Sequence, residues 1–99
     1  MKIEFNNSYK PTRSGFKHET QLFINDELVR KSTAHYLNRT WESYQYQSVM
    51  KQALAEEIDA EKARLKEQYK RETGKQRVSK SIVFDNEYIQ ELTKKRAEL

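Results

Sequence analysis

Chemistry at a protein surface needs particular residue types at particular spacings, and few such sets occur in this sequence. His18 and His35 are the only two histidines, and there is no cysteine. Thiolate metal sites and disulfides are therefore excluded, and the lack of cysteine fits a cytoplasmic home. A four-residue hairpin loop, Asn25 to Leu28, would set the two histidines opposite each other on neighbouring strands; a three-residue loop would send them to opposite faces. Either way a metal would need further ligands that no local His/Asp/Glu spacing supplies. General acid–base work would need a positioned carboxylate, and Glu19 is only a neighbour in sequence. Ordinary strand histidines are the preferred reading. Glu56, Glu57, Asp59 and Glu61 form an acidic group without the spacing or the glycine of a calcium loop. No serine or threonine sits in a nucleophile elbow, and no glycine-rich phosphate loop is present. The sequence points to no enzyme, no metal and no cofactor, and a small nuclease is the weakest reading.

Charge and aromatic side chains are more informative. Residues 62–80 hold Lys62, Arg64, Lys66, Lys70, Arg71, Lys75, Arg77 and Lys80 against Glu67 and Glu72, a local charge of +6, whereas residues 55–61 carry −4. Such a stretch can track a phosphate backbone, and it can equally be the solvated face of a helix. Trp41, Tyr44 and Tyr46 follow closely on Tyr36. They could stack on bases or anchor a protein partner. Filling the seam between a hairpin and a helix is the preferred role for Trp41 and part of the group. Tyr44 and Tyr46 stand two residues apart and cannot share a helix face, which leaves one of them available to a partner. The candidate binding residues are thus the eight bases of 62–80 with Tyr44 and Tyr46.

The elements that would carry these residues read as strands and then helices. Ile3 and Phe5 alternate with polar neighbours, as a half-buried strand does. Asn7 to Gly15, with Pro11, Ser14 and Gly15, reads as a loop. Phe16 to Ile24 reads as a second strand with Phe16, His18, Thr20, Leu22 and Ile24 on one face. Asn25, Asp26 and Glu27 supply a turn, and Leu28 to Leu37 a third strand. At Asn38 the period changes. Asn38 or Thr40 can cap a helix, Glu42 suits its first turn, and Tyr46, Val49, Met50, Ala53 and Leu54 make one apolar stripe. No glycine or proline interrupts Thr40 to Thr73, and Gly74 is a natural stop. The second half of this helix has only Ile58, Leu65 and Tyr69 as larger apolar residues. It should project, dock a later segment, or pair with a second copy along that irregular stripe. Ser81 to Phe84 reads as a strand or a hydrophobic lead-in, and Asp85 or Asn86 as the cap of a last helix through Leu99.

The expected class is α+β: an N-terminal antiparallel β-hairpin or three-stranded sheet packed on the first half of a long α-helix, plus a short C-terminal helix. Ninety-nine residues, 35% apolar and 34% charged, suffice for one small core. Residues 1–54 would form it, with 55–80 a projecting charged helix and basic stretch and 81–99 the C-terminal helix. No apolar run is long enough to cross a membrane, and the first residues lack a secretory apolar stretch, so a soluble cytoplasmic protein, monomer or homodimer, is expected.

The segment Tyr36-Leu37-Asn38-Arg39-Thr40-Trp41-Glu42-Ser43-Tyr44-Gln45-Tyr46-Gln47-Ser48-Val49-Met50 resembles a pattern in small accessory proteins of Gram-positive phages, plasmids and chromosomal cassettes. In these a charged hairpin runs into an Asn-Arg-Thr-Trp-Glu helix start. The likeness covers Phe16 to Leu54 and no more. It implies a shared fold and a mobile-element setting, where proteins of this size commonly occlude a larger machine. An anti-CRISPR-type inhibitor of a Cas effector in a bacterial host is the favoured example. A DNA-binding accessory subunit or regulator of replication, partnered with a replication enzyme, is the alternative. The formal net charge of +4 speaks against DNA mimicry and for contact with an acidic protein face or guide RNA.

Overall fold

The computed structural model describes residues 1–36, 43–74 and 80–99, with the side chains of 43–45, 80 and 81 outside the description. The chain is α+β. Strands β1 (Ile3–Pro11), β2 (Phe16–Ile24) and β3 (Glu27–Tyr36) form one antiparallel sheet in the order β1-β2-β3. Helices α1 (Ser43–Thr73), α2 (Lys80–Phe84) and α3 (Glu87–Glu98) follow. Among the described residues no helix is long and apolar enough to cross a membrane.

Strand β2 is the sheet's spine, and its strict alternation sets the faces. His18, Thr20, Leu22 and Ile24 are buried and Phe16 is half-buried, as the two-residue period requires. The turn to β3 is tighter than three residues. Asn25 and Asp26 alone make it, at φ of 52° and 68°, and Asn and Asp bear this left-handed backbone better than other side chains. A bulge follows: Leu22 faces Arg30, whereas Phe23 faces Leu28, so Val29 is the extra residue. The bulge turns Val29 and Arg30 together toward the helices. Its register also sets His18 opposite Ala34 and His35 opposite Lys17, so the two histidines lie on opposite faces and form no pair.

Two expectations for the irregular segments are corrected. Asn7 to Pro11 is strand rather than loop, each residue paired with β2 from Thr20 back to Phe16, and only Thr12 to Gly15 remains as the connection. The polar Asn7 is tolerated on the inner face because its amide is bonded there. Thr20 Oγ1 donates to Asn7 Oδ1 at 2.6 Å, and Asn7 Nδ2 donates to Met50 Sδ at 3.3 Å. Pro11, which has no N–H to give, ends an edge strand. Ser81 to Phe84 lies within a short helix, α2, and is not a strand.

Helix α1 is 31 residues long and closes at Gly74, whose φ of +70° and N–H bond to the Lys70 carbonyl terminate it as expected. The candidate caps Asn38 and Thr40, with Trp41 and Glu42, lie outside the described residues. Val49, Ala53 and Leu54 close the inner face of the sheet. Farther along, α1 docks a later segment: α3, capped by Asn86 Oδ1 accepting from the Ile89 N–H at 2.9 Å, lays Ile89 and Leu92 against Ile58, with Leu65 and Tyr88 packed alongside. That coverage takes up much of the stripe otherwise available for self-pairing.

His18 is fully buried at the seam between sheet and helix, its ring edge-on to Tyr46 at 5.0 Å. The one hydroxyl proton of Thr20 goes to Asn7, so His18 Nε2, 2.9 Å from Thr20 Oγ1, carries a proton and donates. Burial holds the ring below its ordinary value of 6.5, and it is neutral near pH 7. The unfolded chain then takes up a proton more readily than the folded one, and stability rises with pH up to about 6.5. The urea midpoint is expected to fall as pH drops from 7 toward 5, and His18→Gln to flatten that fall.

Candidate partner-binding surface

The direction in which α1 presents its charges is set by one buried carboxylate. Glu57 is 3% exposed. Arg30 Nε of β3 donates to its Oε2 at 3.1 Å, and the Arg64 guanidinium, two turns along α1, donates to Oε1 at 2.6 Å. The Tyr88 hydroxyl of α3 donates to the same Oε1 at 3.2 Å. Burial first, then the Glu57 charge, pushes the Tyr88 phenol up to about 12, so it remains a donor at any ordinary pH. Arg64 also bonds Glu61 through Nε at 2.9 Å, and the two carboxylates hold the guanidinium protonated. Beside this cluster Ser32 Oγ donates to Glu56 Oε2 at 2.7 Å, a second clasp between β3 and α1.

With Glu57 facing inward, the helical period fixes the rest. Glu57, Arg64 and Arg71 fall seven residues apart on one face, and Arg71 sits 3.6 Å from Glu67. Lys62 lies nine residues from Ala53, about half a turn round at ~100° per residue, so it points away from the sheet. Lys66 and Lys70 continue that outer line at four-residue steps, about 6 Å apart along the axis. Lys62 is half-buried and Lys66 and Lys70 are exposed. None of the three has an ion-pair partner within 4.0 Å among the described residues.

The candidate binding residues are therefore sorted into two sets. Lys62, Lys66 and Lys70 form one outward line, whereas Arg64 and Arg71 are turned to acids of their own helix. Lys75 and Arg77 lie outside the described residues, as do the side chains of Lys80 and Tyr44. Tyr46 is half-buried against His18, with burial and the nearby Tyr9 phenol raising its hydroxyl above the ordinary value. This seam is the structural role foreseen for part of the aromatic group. Among the described residues no three His, Asp or Glu side chains gather as a metal site would require.

Arg30 and Tyr88 stand 27 and 31 residues from Glu57; the sequence places Tyr88 on the inward face of the last helix but pairs neither residue with that carboxylate. One local signal was present: Glu57 follows Ala53 by four and Leu54 by three, placing an acid on the apolar stripe itself. No family model, curated protein or solved structure matches this chain.

Removing the Glu57 carboxylate would leave the half-buried Arg30 guanidinium and Tyr88 phenol without their acceptor, while Arg64 would keep its bond to Glu61. Glu57→Ala is expected to cost about 2–4 kcal/mol, below the full penalty for a broken buried pair because solvent reaches both arginines. Urea unfolding measures it, and Asp59→Ala, at an exposed position, serves as the control within about 0.5 kcal/mol.

Proposed function

We propose that this chain is a non-enzymatic binding protein of a phage or other mobile element that acts on nucleic-acid machinery in the bacterial cytoplasm. The favoured case is an anti-CRISPR-type inhibitor of a Cas effector. The observation that carries this reading is the outward line of Lys62, Lys66 and Lys70 on α1, without an ion-pair partner within 4.0 Å among the described residues while the neighbouring arginines are paired. A cationic line that winds slowly round one side of the helix in this way suits an acidic protein face or the backbone of a guide RNA. The resemblance of residues 36–50 supplies the genetic setting. The most buried ionisable groups, His18 and Glu57, are committed to holding sheet and helices together, which favours binding over catalysis.

The full chain, mixed with Cas effectors from Gram-positive hosts, is expected to co-elute with one of them and to block target cleavage. Lys62→Glu, Lys66→Glu and Lys70→Glu together are expected to weaken that complex by about tenfold or more, ~1.4 kcal/mol for each decade. Full cleavage without co-elution, across those effectors, would overturn the inhibitor reading.

A second reading, a DNA-binding accessory protein in replication, is favoured by the regular spacing of the same three lysines. Three phosphate contacts give a salt dependence, log K against log salt, of slope about −2.7 on duplex DNA. Neutralising Lys62, Lys66 and Lys70 should remove most of that slope, and an unchanged slope excludes DNA contact along this line.

A further inference from the structure

The face of the sheet away from α1 carries a second set of basic side chains, two of them lysines. Lys10 of β1 stands directly opposite Lys17 of β2, and Lys17 directly opposite His35 of β3. All three are exposed. Like charges directly opposite one another destabilise a sheet, yet here the lysines face each other with no ion pair within 4.0 Å among the described residues. Neighbouring strands are about 4.8 Å apart, so the row crosses the sheet over about 10 Å. Thr12 Oγ1 lies 2.9 Å from His35 Nε2, which ties the connection after β1 to the far end of the row and leaves Arg13 exposed beside it.

We propose that this row binds the phosphodiester backbone of a nucleic acid, as a contact separate from the lysine line on α1. An anion placed between opposed ammonium groups relieves their repulsion, and a phosphate oxygen can supply one. Ser8, Glu19 and Thr33 stand in the next row across the sheet and line the same shallow depression; Glu19 repels an anion there, which confines the backbone to the lysine row and the connection beside it. Beside the row Thr12 and Arg13 are exposed and polar, and Tyr9, 50% exposed and lining the same depression, offers a ring of the kind on which a base can stack. A nucleic acid, which presents phosphates at regular intervals beside its bases, is the better fit.

The test uses the full chain with Lys62, Lys66 and Lys70 changed to Gln, so that the sheet is read alone, and a fluorescent oligonucleotide, single-stranded or duplex. Anisotropy across a salt series should show residual binding. Adding Lys10→Gln and Lys17→Gln should reduce the slope of log K on log salt by about 1.4 on the single strand or about 1.8 on the duplex. Because repulsion is relieved, the melting temperature of that variant should stay level or rise, and Lys17→Arg should keep the wild-type slope. An unchanged slope, no residual binding at low salt, or equal loss of binding to polyglutamate would each overturn the proposal. Failure of the α1 reading has a different signature: an unchanged slope when only Lys62, Lys66 and Lys70 are altered.

Discussion

A carboxylate with 3% of its surface exposed must recover its lost hydration from the protein, and Glu57 does so from three elements at once. Arg30 reaches it from β3, Arg64 from α1 and Tyr88 from α3. These bonds act as a rotational lock. Apolar contact already sets which stripe of α1 faces inward, since turning it would expose Leu54 and Ile58 and bury polar neighbours. Aiming one oxygen at Arg30 and the other at Arg64 and Tyr88 narrows that angle further. The bulge at Leu22 and Phe23 belongs to the same device, because it brings Arg30 to the inner face where an unbroken alternation would have paired the strand differently. With α1 locked, the outward aim of Lys62, Lys66 and Lys70 follows from helical geometry.

The lock also explains how a small core holds so long a helix. The buried apolar cluster contains Leu22, Ile24, Ala53, Leu54, Ile58, Ile89 and Leu92, drawn from β2, α1 and α3. The sheet covers α1 only as far as the middle of its length, and α3 then takes over along Ile58 and Leu65. Tyr88 binds both roles together, since its ring packs on this cluster while its hydroxyl reaches Glu57. Beyond Leu65 the last two turns of α1 also carry bonds of their own, among them Gln68 Nε2 to Glu72 at 3.0 Å and Thr73 Oγ1 to the Tyr69 carbonyl at 2.8 Å. The overall dimensions, 52 × 25 × 22 Å, record that projection.

Where side-chain period and local chemistry agree, the fold is legible from the residues. Strand β2, the stop at Gly74 and the Asn86 cap all follow from local signals: alternation, a left-handed glycine, and an amide within reach of an N–H three residues on. Asn7 to Pro11 misled because polarity and a proline imitate a loop, and the bonds that satisfy Asn7 come from Thr20 and Met50, which are remote in sequence. The short turn was hidden because Glu27, a polar residue, begins a strand. The binding surface was legible only as a charge run. Reading 62–80 as one patch overlooks that a helix sorts neighbours by angle: Arg64 and Arg71 fall with Glu57, whereas Lys62, Lys66 and Lys70 fall on the other side. The opposed Lys10 and Lys17 depend on register, which no local pattern specifies.

The two cation sets are electrostatically independent, and distance is the reason. Tyr46, edge-on to His18, whose neighbour Lys17 faces the other side of the sheet, marks where α1 begins its course over the sheet. Lys62, the nearest of the helix lysines, is 16 residues farther along, about 24 Å at 1.5 Å per residue. A Debye length of about 8 Å at physiological salt leaves almost no interaction across that span. Between the sets lie Glu56, Glu57, Asp59 and Glu61, whose charges belong to the middle of the helix. A net charge of +4 therefore understates what a partner meets at either end. A single extended polyanion can engage one set without altering the other, and a partner long enough to reach both gains from their linkage in one rigid frame rather than from any change in either set.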